Sequence, residues 1–99
     1  MSRLLWSEDA ERDLDDITAY IADDDKVAAI RMRDEIERRL EVLADHPRAG
    51  RAGRVGGTRE LVLAGTPFIC VYCIKGDNVI ILRVLHGARR WPPIGETRT

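Results

Sequence analysis

Apolar residues follow two different spacings along the chain, one before His46 and another after Thr58. In the second part, up to Pro92, short runs rich in Val, Ile, Phe and Tyr are separated by the turn sequences Ala64-Gly65-Thr66-Pro67 and Lys75-Gly76-Asp77-Asn78. Glycine, proline, Asn and Asp favour tight turns, while β-branched and aromatic residues favour strands. The pattern therefore predicts an antiparallel meander of three strands.

The second turn also predicts how the last two strands pair. If Gly76-Asp77 lies at its centre, the opposing pairs are Ile74 with Val79, Tyr72 with Ile81, Cys70 with Arg83, and Phe68 with Leu85. Side chains alternate across a strand, so the other face carries Ile69, Val71, Cys73, Ile80, Leu82 and Val84. We expect the helices of the chain to cover this wholly apolar face, and the face with Phe68 and Tyr72 to line a groove. A slip of one residue would exchange the two faces.

Before His46, apolar residues recur at intervals of three and four, which is typical of amphipathic helices. The first stripe is Ala10, Leu14, Ile17 and Ile21, and the second is Ala29, Met32, Ile36, Leu40 and Leu43. Ser7 and Asp25 suit the N-cap positions of two helices, the second running from about Lys26 to Ala44. A short strand, Arg3–Trp6, precedes them. The expected fold class is α+β, with an antiparallel helical hairpin packed on one face of an antiparallel sheet.

The 99 residues are enough for one domain. We divide it into a helical half (1–46), the meander (58–87) and an extended basic tail (88–99). The net charge of −1 hides a split, because residues 1–46 carry −7 and residues 47–99 carry +6. A basic half suggests a surface that faces an anionic partner, and the glycine-rich loop with Arg48, Arg51 and Arg54 is one place for it.

Several classes of function are disfavoured by composition. The first fifteen residues are charged rather than apolar, and no apolar run is long enough to span a bilayer, so we expect a cytoplasmic protein that does not insert into membranes. Cys70 and Cys73 have CxxC spacing, but on one strand they point to opposite faces. We interpret them as two reduced thiols and predict neither a metal site nor a cofactor.

The order of elements, together with the segments GTRELV, GTPFICVY and VIILRVLHGARRWP, resembles the RelE/ParE superfamily of toxins from bacterial type II toxin–antitoxin systems. The resemblance extends from Trp6 to Trp91-Pro92. It implies a cognate antitoxin, ParD-like or RelB-like, whose C-terminal segment wraps the toxin in a hetero-oligomer. It leaves two activities open, because RelE-like members are ribosome-dependent mRNA endonucleases whereas ParE-like members inhibit DNA gyrase.

The catalytic set of the RelE-like members is mostly missing from this sequence. Under the resemblance, the arginine position of the central strand holds Ile69, and the lysine positions fall near Glu60 and Val62. Arg89 matches the arginine after the last strand, but the tail after Trp91 has no tyrosine. These departures favour the ParE-like activity, for which no catalytic residue is expected.

A different nuclease remains an alternative, with His86 as acid or base, Glu60 as its partner and Arg59, Arg83 and Arg89 around the phosphate. In the other interpretation, His86 ends the last strand on the core side and only bonds the backbone. A third possibility is an inactive homologue that only binds its antitoxin.

Two binding surfaces are expected from the residue types. The predicted target-binding residues are Arg83, Arg89, Arg90 and Trp91, since guanidinium groups beside an indole are typical of interface hot spots. The predicted antitoxin-binding residues are Ile30, Val42, Arg59, Phe68 and Tyr72. Ile30 and Val42 are chosen because they lie outside the apolar stripe of the second helix.

Overall fold

A helical hairpin packed on a five-stranded sheet is the architecture of the computed structural model, which describes residues 2–87. The elements in chain order are β1 (Arg3–Trp6), α1 (Glu8–Ala22), α2 (Lys26–Leu40), α3 (Val42–Asp45), β2 (Arg51–Ala52), β3 (Arg59–Val62), β4 (Phe68–Lys75) and β5 (Asn78–His86). The predicted α+β class is confirmed. Within the described residues, none of the helices is both long and apolar enough to cross a bilayer.

Both predicted helix starts are confirmed. The side chain of Ser7 accepts a hydrogen bond from the N–H of Ala10, and that of Asp25 accepts one from the N–H of Ala28. These bonds satisfy backbone donors that have no partner within the first turn of a helix. The second helix ends earlier than predicted, at Leu40, and the rest of the expected span forms the separate one-turn α3.

The sheet has the strand order β1-β5-β4-β3-β2. The meander of β3, β4 and β5 is antiparallel as predicted, but β1 pairs with β5 in parallel, so the sheet is mixed rather than wholly antiparallel. β2 was not predicted, because a strand of two residues shows no apolar alternation. A positive φ of 60° at Gly76 forms the tight turn between β4 and β5.

The predicted register of the last two strands holds only as far as Tyr72. Ile74 lies opposite Val79 and Tyr72 opposite Ile81, as expected. A β-bulge then leaves Leu82 without a partner on β4, so that Val71 faces Arg83, Cys70 faces Val84 and Phe68 faces His86. The expected pairs Cys70 with Arg83 and Phe68 with Leu85 are therefore wrong by one residue.

The predicted assignment of the two sheet faces is also wrong. Side chains of α1, α2 and α3 form the main core with the face of the sheet that carries Phe68, Cys70 and Tyr72. The opposite face carries a second, smaller cluster of sheet residues, Ile69, Val71 and Leu85, with Leu82 packed against it. Both faces of β4 are apolar, so residue alternation alone does not indicate which of them the helices cover.

The bulge lies where β1 stops protecting the edge of β5. The pairing with β1 ends at Trp6 and Ile81, and the chain then turns into α1. From that point the Ser7 hydroxyl donates to the carbonyl of Leu82 (3.0 Å), and the Asp13 carboxylate accepts from the N–H of Val84 (3.0 Å). Side chains of α1 thus replace a strand along this part of the edge.

Candidate functional site

Arg83, predicted both as a target-binding residue and as part of a nuclease, is held by an ion pair. Its Nε and Nη2 donate to the two carboxylate oxygens of Asp13 at 2.7 and 3.0 Å. The side chains are 19% and 12% exposed, so this bidentate pair lies largely out of water. Since the same carboxylate accepts from the N–H of Val84, Arg83 belongs to the attachment of α1 to β5.

Glu60, the predicted partner of His86, is buried and interacts with Arg51 and Arg54 instead. Its carboxylate accepts from the backbone N–H of Arg54 (3.0 Å) and lies 3.4 Å from the guanidinium groups of both Arg51 and Arg54. Glu60 pairs with Val71 on β4, whereas His86 pairs with Phe68. Val71 and Phe68 are three residues apart along β4, and Glu60 and His86 lie on the strands at either side of β4. With about 3.3 Å per residue and about 4.8 Å between strands, the Cα atoms of Glu60 and His86 are roughly 14 Å apart. The structure therefore does not bring Glu60 and His86 together.

His86 ends β5 on the side of the sheet that faces the helices, which is the position expected in the structural interpretation of this residue. Its ring meets that of Phe68 edge-on, with centroids 5.8 Å apart and planes at 84°. The imidazole is exposed at one side of a groove of about 410 Å³. The groove is lined mainly by apolar groups, from Asp16, Ile17, Tyr20, Ile21, Met32, Pro67, Phe68 and His86.

Tyr72, predicted on an exposed aromatic face, is fully buried and fixes the arginine-rich loop. Its hydroxyl donates to the carbonyl of Pro47 (2.7 Å) and accepts from the N–H of Gly50 (2.8 Å). A Cβ at position 50 would stand 2.8 Å from this hydroxyl, so Gly50 permits the close approach. Burial raises the pKa of the Tyr72 hydroxyl, and the Gly50 N–H and the charge of Arg59 oppose that rise only in part.

The predicted antitoxin-binding set is therefore divided by the structure. Phe68 and Tyr72 belong to the main core, because the helices cover the face of the sheet that carries them. Tyr72 is fully buried, and Phe68 is 8% exposed where it lines the groove beside His86. Arg59 lies half-buried at the start of β3 and donates to the carbonyl of Gly50 (2.6 Å). Ile30 and Val42 are 61% and 43% exposed, in agreement with their position outside the apolar stripe.

Two further exposed apolar residues of the helical hairpin were missed as candidates. Tyr20 is 82% exposed near the end of α1, and Val27 is 56% exposed in the first turn of α2. Val27 and Ile30 are three residues apart and so share one face of the helix. The signal was present in the sequence, since neither residue lies on a core stripe. We call Tyr20, Val27 and Ile30 the hairpin patch.

The two cysteines lie on opposite faces of β4, as their spacing predicts. Cys70 is part of the main core, whereas Cys73 is half-buried opposite Ile80. Burial raises the pKa of the Cys70 thiol far above its ordinary value, which keeps it protonated and unreactive at neutral pH. Arg89, Arg90 and Trp91, the remaining predicted target-binding residues, lie outside the described residues.

Two solved structures with this architecture come from toxin–antitoxin systems. One, the chromosomal ParDE system of P. aeruginosa, matches 87% of this chain and 96% of its own at 30% identity, with a TM-score of 0.78. Another is the intact RelBE toxin–antitoxin complex of E. coli, which matches 91% of this chain and all of its own with a TM-score of 0.64. At 16% identity, the second similarity concerns the fold alone.

The class defined by fold and sequence is thus the toxin component of a type II toxin–antitoxin system, of the ParE/RelE superfamily. Within that class, residues 4–91 match the model of the ParE toxin of type II toxin-antitoxin system, parDE, and the chain belongs to this family. Among its relatives, Y4kP of Sinorhizobium fredii is 46% identical over 93% of this chain and 95% of its own length. Toxin RelE2 of Caulobacter vibrioides is 33% identical over 90% of this chain and 99% of its own length.

Proposed function

We propose that this toxin inhibits DNA gyrase by binding to it, without catalytic residues of its own, and that a cognate antitoxin neutralises it. The family supports this proposal, because the matching model is that of ParE rather than RelE. The 30% identity to a chain of the ParDE system adds support. Gyrase works on chromosomal DNA, so the proposed location is the cytoplasm.

The observation that carries the proposal is the dispersal of the candidate nuclease residues. The carboxylate of Glu60 is already engaged by Arg51 and Arg54, and the guanidinium of Arg83 by Asp13. Ile69 stands buried where the resemblance places a catalytic arginine. General acid–base catalysis needs an acid and a base that both reach one substrate, and this arrangement supplies no such pair from Glu60 and His86.

The exposed apolar residues of the helices support an antitoxin as the partner. The hairpin patch and Val42 are large apolar side chains turned to solvent on a small protein. Exposed apolar surface of this kind is typical of a binding site for an amphipathic segment. We propose that an antitoxin, ParD-like or RelB-like, covers at least the hairpin patch in a hetero-oligomer.

A direct test adds the purified toxin to DNA gyrase and plasmid DNA, and in parallel to translating ribosomes. We expect loss of supercoiling activity or accumulation of cleaved DNA, with mRNA left intact. Cleavage of mRNA on the ribosome with gyrase unaffected would contradict the proposal.

The proposed target-binding segment is tested with Arg89→Glu/Arg90→Glu. We expect this variant to lose gyrase inhibition, because charge reversal disrupts an interface but spares a core. The control is Arg3→Glu/Arg12→Glu, which changes the net charge equally at two exposed positions elsewhere. If Arg89→Glu/Arg90→Glu inhibited gyrase as strongly as the control and the wild type, Arg89 and Arg90 would be excluded from the binding surface.

An mRNA endonuclease is the second candidate, and the exposed position of His86 favours it. The imidazole lines the same groove as Asp16, a carboxylate that sequence reasoning did not consider. The 33% identical relative named Toxin RelE2 adds support.

His86→Ala separates the two candidates. A gyrase inhibitor should keep its toxicity in this variant, because binding needs no proton transfer. A nuclease that uses His86 should lose about 10²–10⁴-fold in cleavage rate. Toxicity is measured as growth arrest after induction, with circular dichroism as the check on folding. Loss of toxicity in a folded His86→Ala variant would reverse the order of the candidates.

A further inference from the structure

A polar cleft of about 530 Å³ lies between the arginine-rich loop and the turn that joins β4 to β5. It is lined by Arg48, Ala52, Gly57, Thr58, Arg59, Ile74 and Gly76. An added Cβ at Gly57 or Gly76 would meet no atom within 4 Å, so the space beside these glycines is open. The cleft is separate from the hairpin patch and from the groove beside His86.

Two of the lining residues, Arg48 and Arg59, carry guanidinium groups that have no carboxylate partner among the described residues. Within residues 2–87, Arg48 and Arg59 make no ion pair. Their neighbours Arg51 and Arg54 differ, since both lie 3.4 Å from the carboxylate of Glu60. The cleft thus concentrates positive charge that the protein itself does not neutralise.

The geometry of the cleft is fixed by contacts deep in the protein. The Nη1 of Arg59 donates to the carbonyl of Gly50, and the N–H of Gly50 donates to the buried Tyr72 hydroxyl. The loop is tied down a second time where Tyr72 donates to the carbonyl of Pro47, next to Arg48. Because these bonds fix the backbone on both sides and orient the guanidinium of Arg59, only the exposed side chain of Arg48 has to be ordered when a ligand binds.

We propose that this cleft binds carboxylate side chains of an acidic peptide segment from a partner protein. The planar guanidinium fork matches a carboxylate in a bidentate arrangement. A single-stranded nucleic acid fits less well, because the lining contains no aromatic ring on which a base could stack, and Glu60 neutralises the adjacent arginines. The proposal does not depend on whether gyrase or the ribosome is the target of the toxin.

The test is a titration of the ¹⁵N-labelled full-length toxin with a capped peptide that contains four glutamates. We expect amide shifts at Ala52, Gly57 and Thr58, and an affinity that falls about tenfold or more in Arg48→Gln, because a charge-assisted hydrogen bond is lost. Arg48 is exposed and makes no ion pair within residues 2–87, so its replacement should leave the melting temperature unchanged.

Two controls decide the outcome. Arg12→Gln removes the same charge from an exposed site on α1 and should change the peptide affinity less than twofold. A single-stranded oligonucleotide with four phosphates should bind more weakly than the peptide. Equal affinities in Arg48→Gln and wild type, shifts elsewhere on the protein, or tighter binding of the oligonucleotide would each overturn the proposal.

Discussion

Arginines at the two sides of the sheet have different surroundings. On the β1 side, Arg83 forms a bidentate pair with Asp13, and the same carboxylate binds the backbone of β5. On the β2 side, Arg48 and Arg59 face a cleft with no carboxylate partner among the described residues. One arginine thus holds a helix to a strand, while the other two leave their charge available. Residue type alone does not tell these roles apart, because the difference lies in which acidic side chain the fold brings near.

The largest expected effect comes from removing the acid on the β1 side. Asp13→Ala should lower the free energy of unfolding by about 2–4 kcal/mol, because it removes the carboxylate that accepts two hydrogen bonds from Arg83 and one from the N–H of Val84. Urea unfolding at pH 7 measures the change.

The matched control is Asp15→Ala, which removes an acid of the same helix from an ion pair with Arg33. This pair is exposed, so the loss should stay below about 1 kcal/mol. If the two variants were equally destabilised, the Asp13–Arg83 pair would be an ordinary surface contact and the comparison would fail.

A smaller effect is expected on the β2 side, at the residue that fixes the loop. Tyr72→Phe should cost about 1–3 kcal/mol, because the Pro47 carbonyl loses its donor and the Gly50 N–H its acceptor inside the protein. Chemical denaturation at pH 7 gives this number. Tyr20→Phe serves as the control. Tyr20 is 82% exposed, so this substitution should leave the free energy of unfolding almost unchanged.

The same tyrosine predicts a dependence on alkaline pH. Because the pKa of Tyr72 is higher in the folded protein than in the unfolded chain, its contribution is fully present below pH about 10 and is lost as the pH rises further. Wild type should therefore lose stability above that pH more steeply than Tyr72→Phe. Parallel pH profiles of the two proteins would show that the hydroxyl is not buried as described.

The smallest effect is expected for arginines paired on an exposed helix. Hydrogen bonds from Arg38 and then Arg39 lower the pKa of Glu35. A lowered pKa in the folded state adds stability at neutral pH that is lost as the pH falls below the ordinary value for glutamate. Glu35→Gln should therefore narrow the difference in melting temperature between pH 7 and pH 3 slightly. A change as large as that in Asp13→Ala would show that exposure does not decide the strength of these pairs.

Local signals in the sequence were sufficient for most of the elements. Ser7 and Asp25 begin helices where their side chains predict it, and Gly76 forms the expected turn. The core stripes of both helices are buried or half-buried as their spacing indicates. These features depend on residues close together in the chain, so one sequence is enough to indicate them.

The errors concern contacts between residues far apart. The bulge at Leu82 occurs where β1 ends and the Asp13 carboxylate binds the backbone of β5 in its place. Asp13 and Val84, which form this bond, are 71 residues apart in sequence. Tyr72 was assigned to a groove because an apolar strand gives no indication of which face the helices choose. The partner of Arg83 was missed for the same reason, since Asp13 is 70 residues away in sequence. Glu60 is an exception: its partners Arg51 and Arg54 are only nine and six residues away, in a stretch with no periodicity to indicate which side chains turn toward β3.

The parallel pairing of β1 with β5 has a consequence for how the protein is made. Arg3 pairs with Asn78 and Trp6 with Ile81, so β1 cannot take its place before β5 has been synthesised. Until then, β5 is not available to pack against α1, and the apolar stripes of α1 and α2 stay partly uncovered. Contacts of such long sequence separation slow folding and prolong the exposure of apolar surface in a nascent chain. Production of the active toxin is therefore expected to lag behind the synthesis of its helical hairpin.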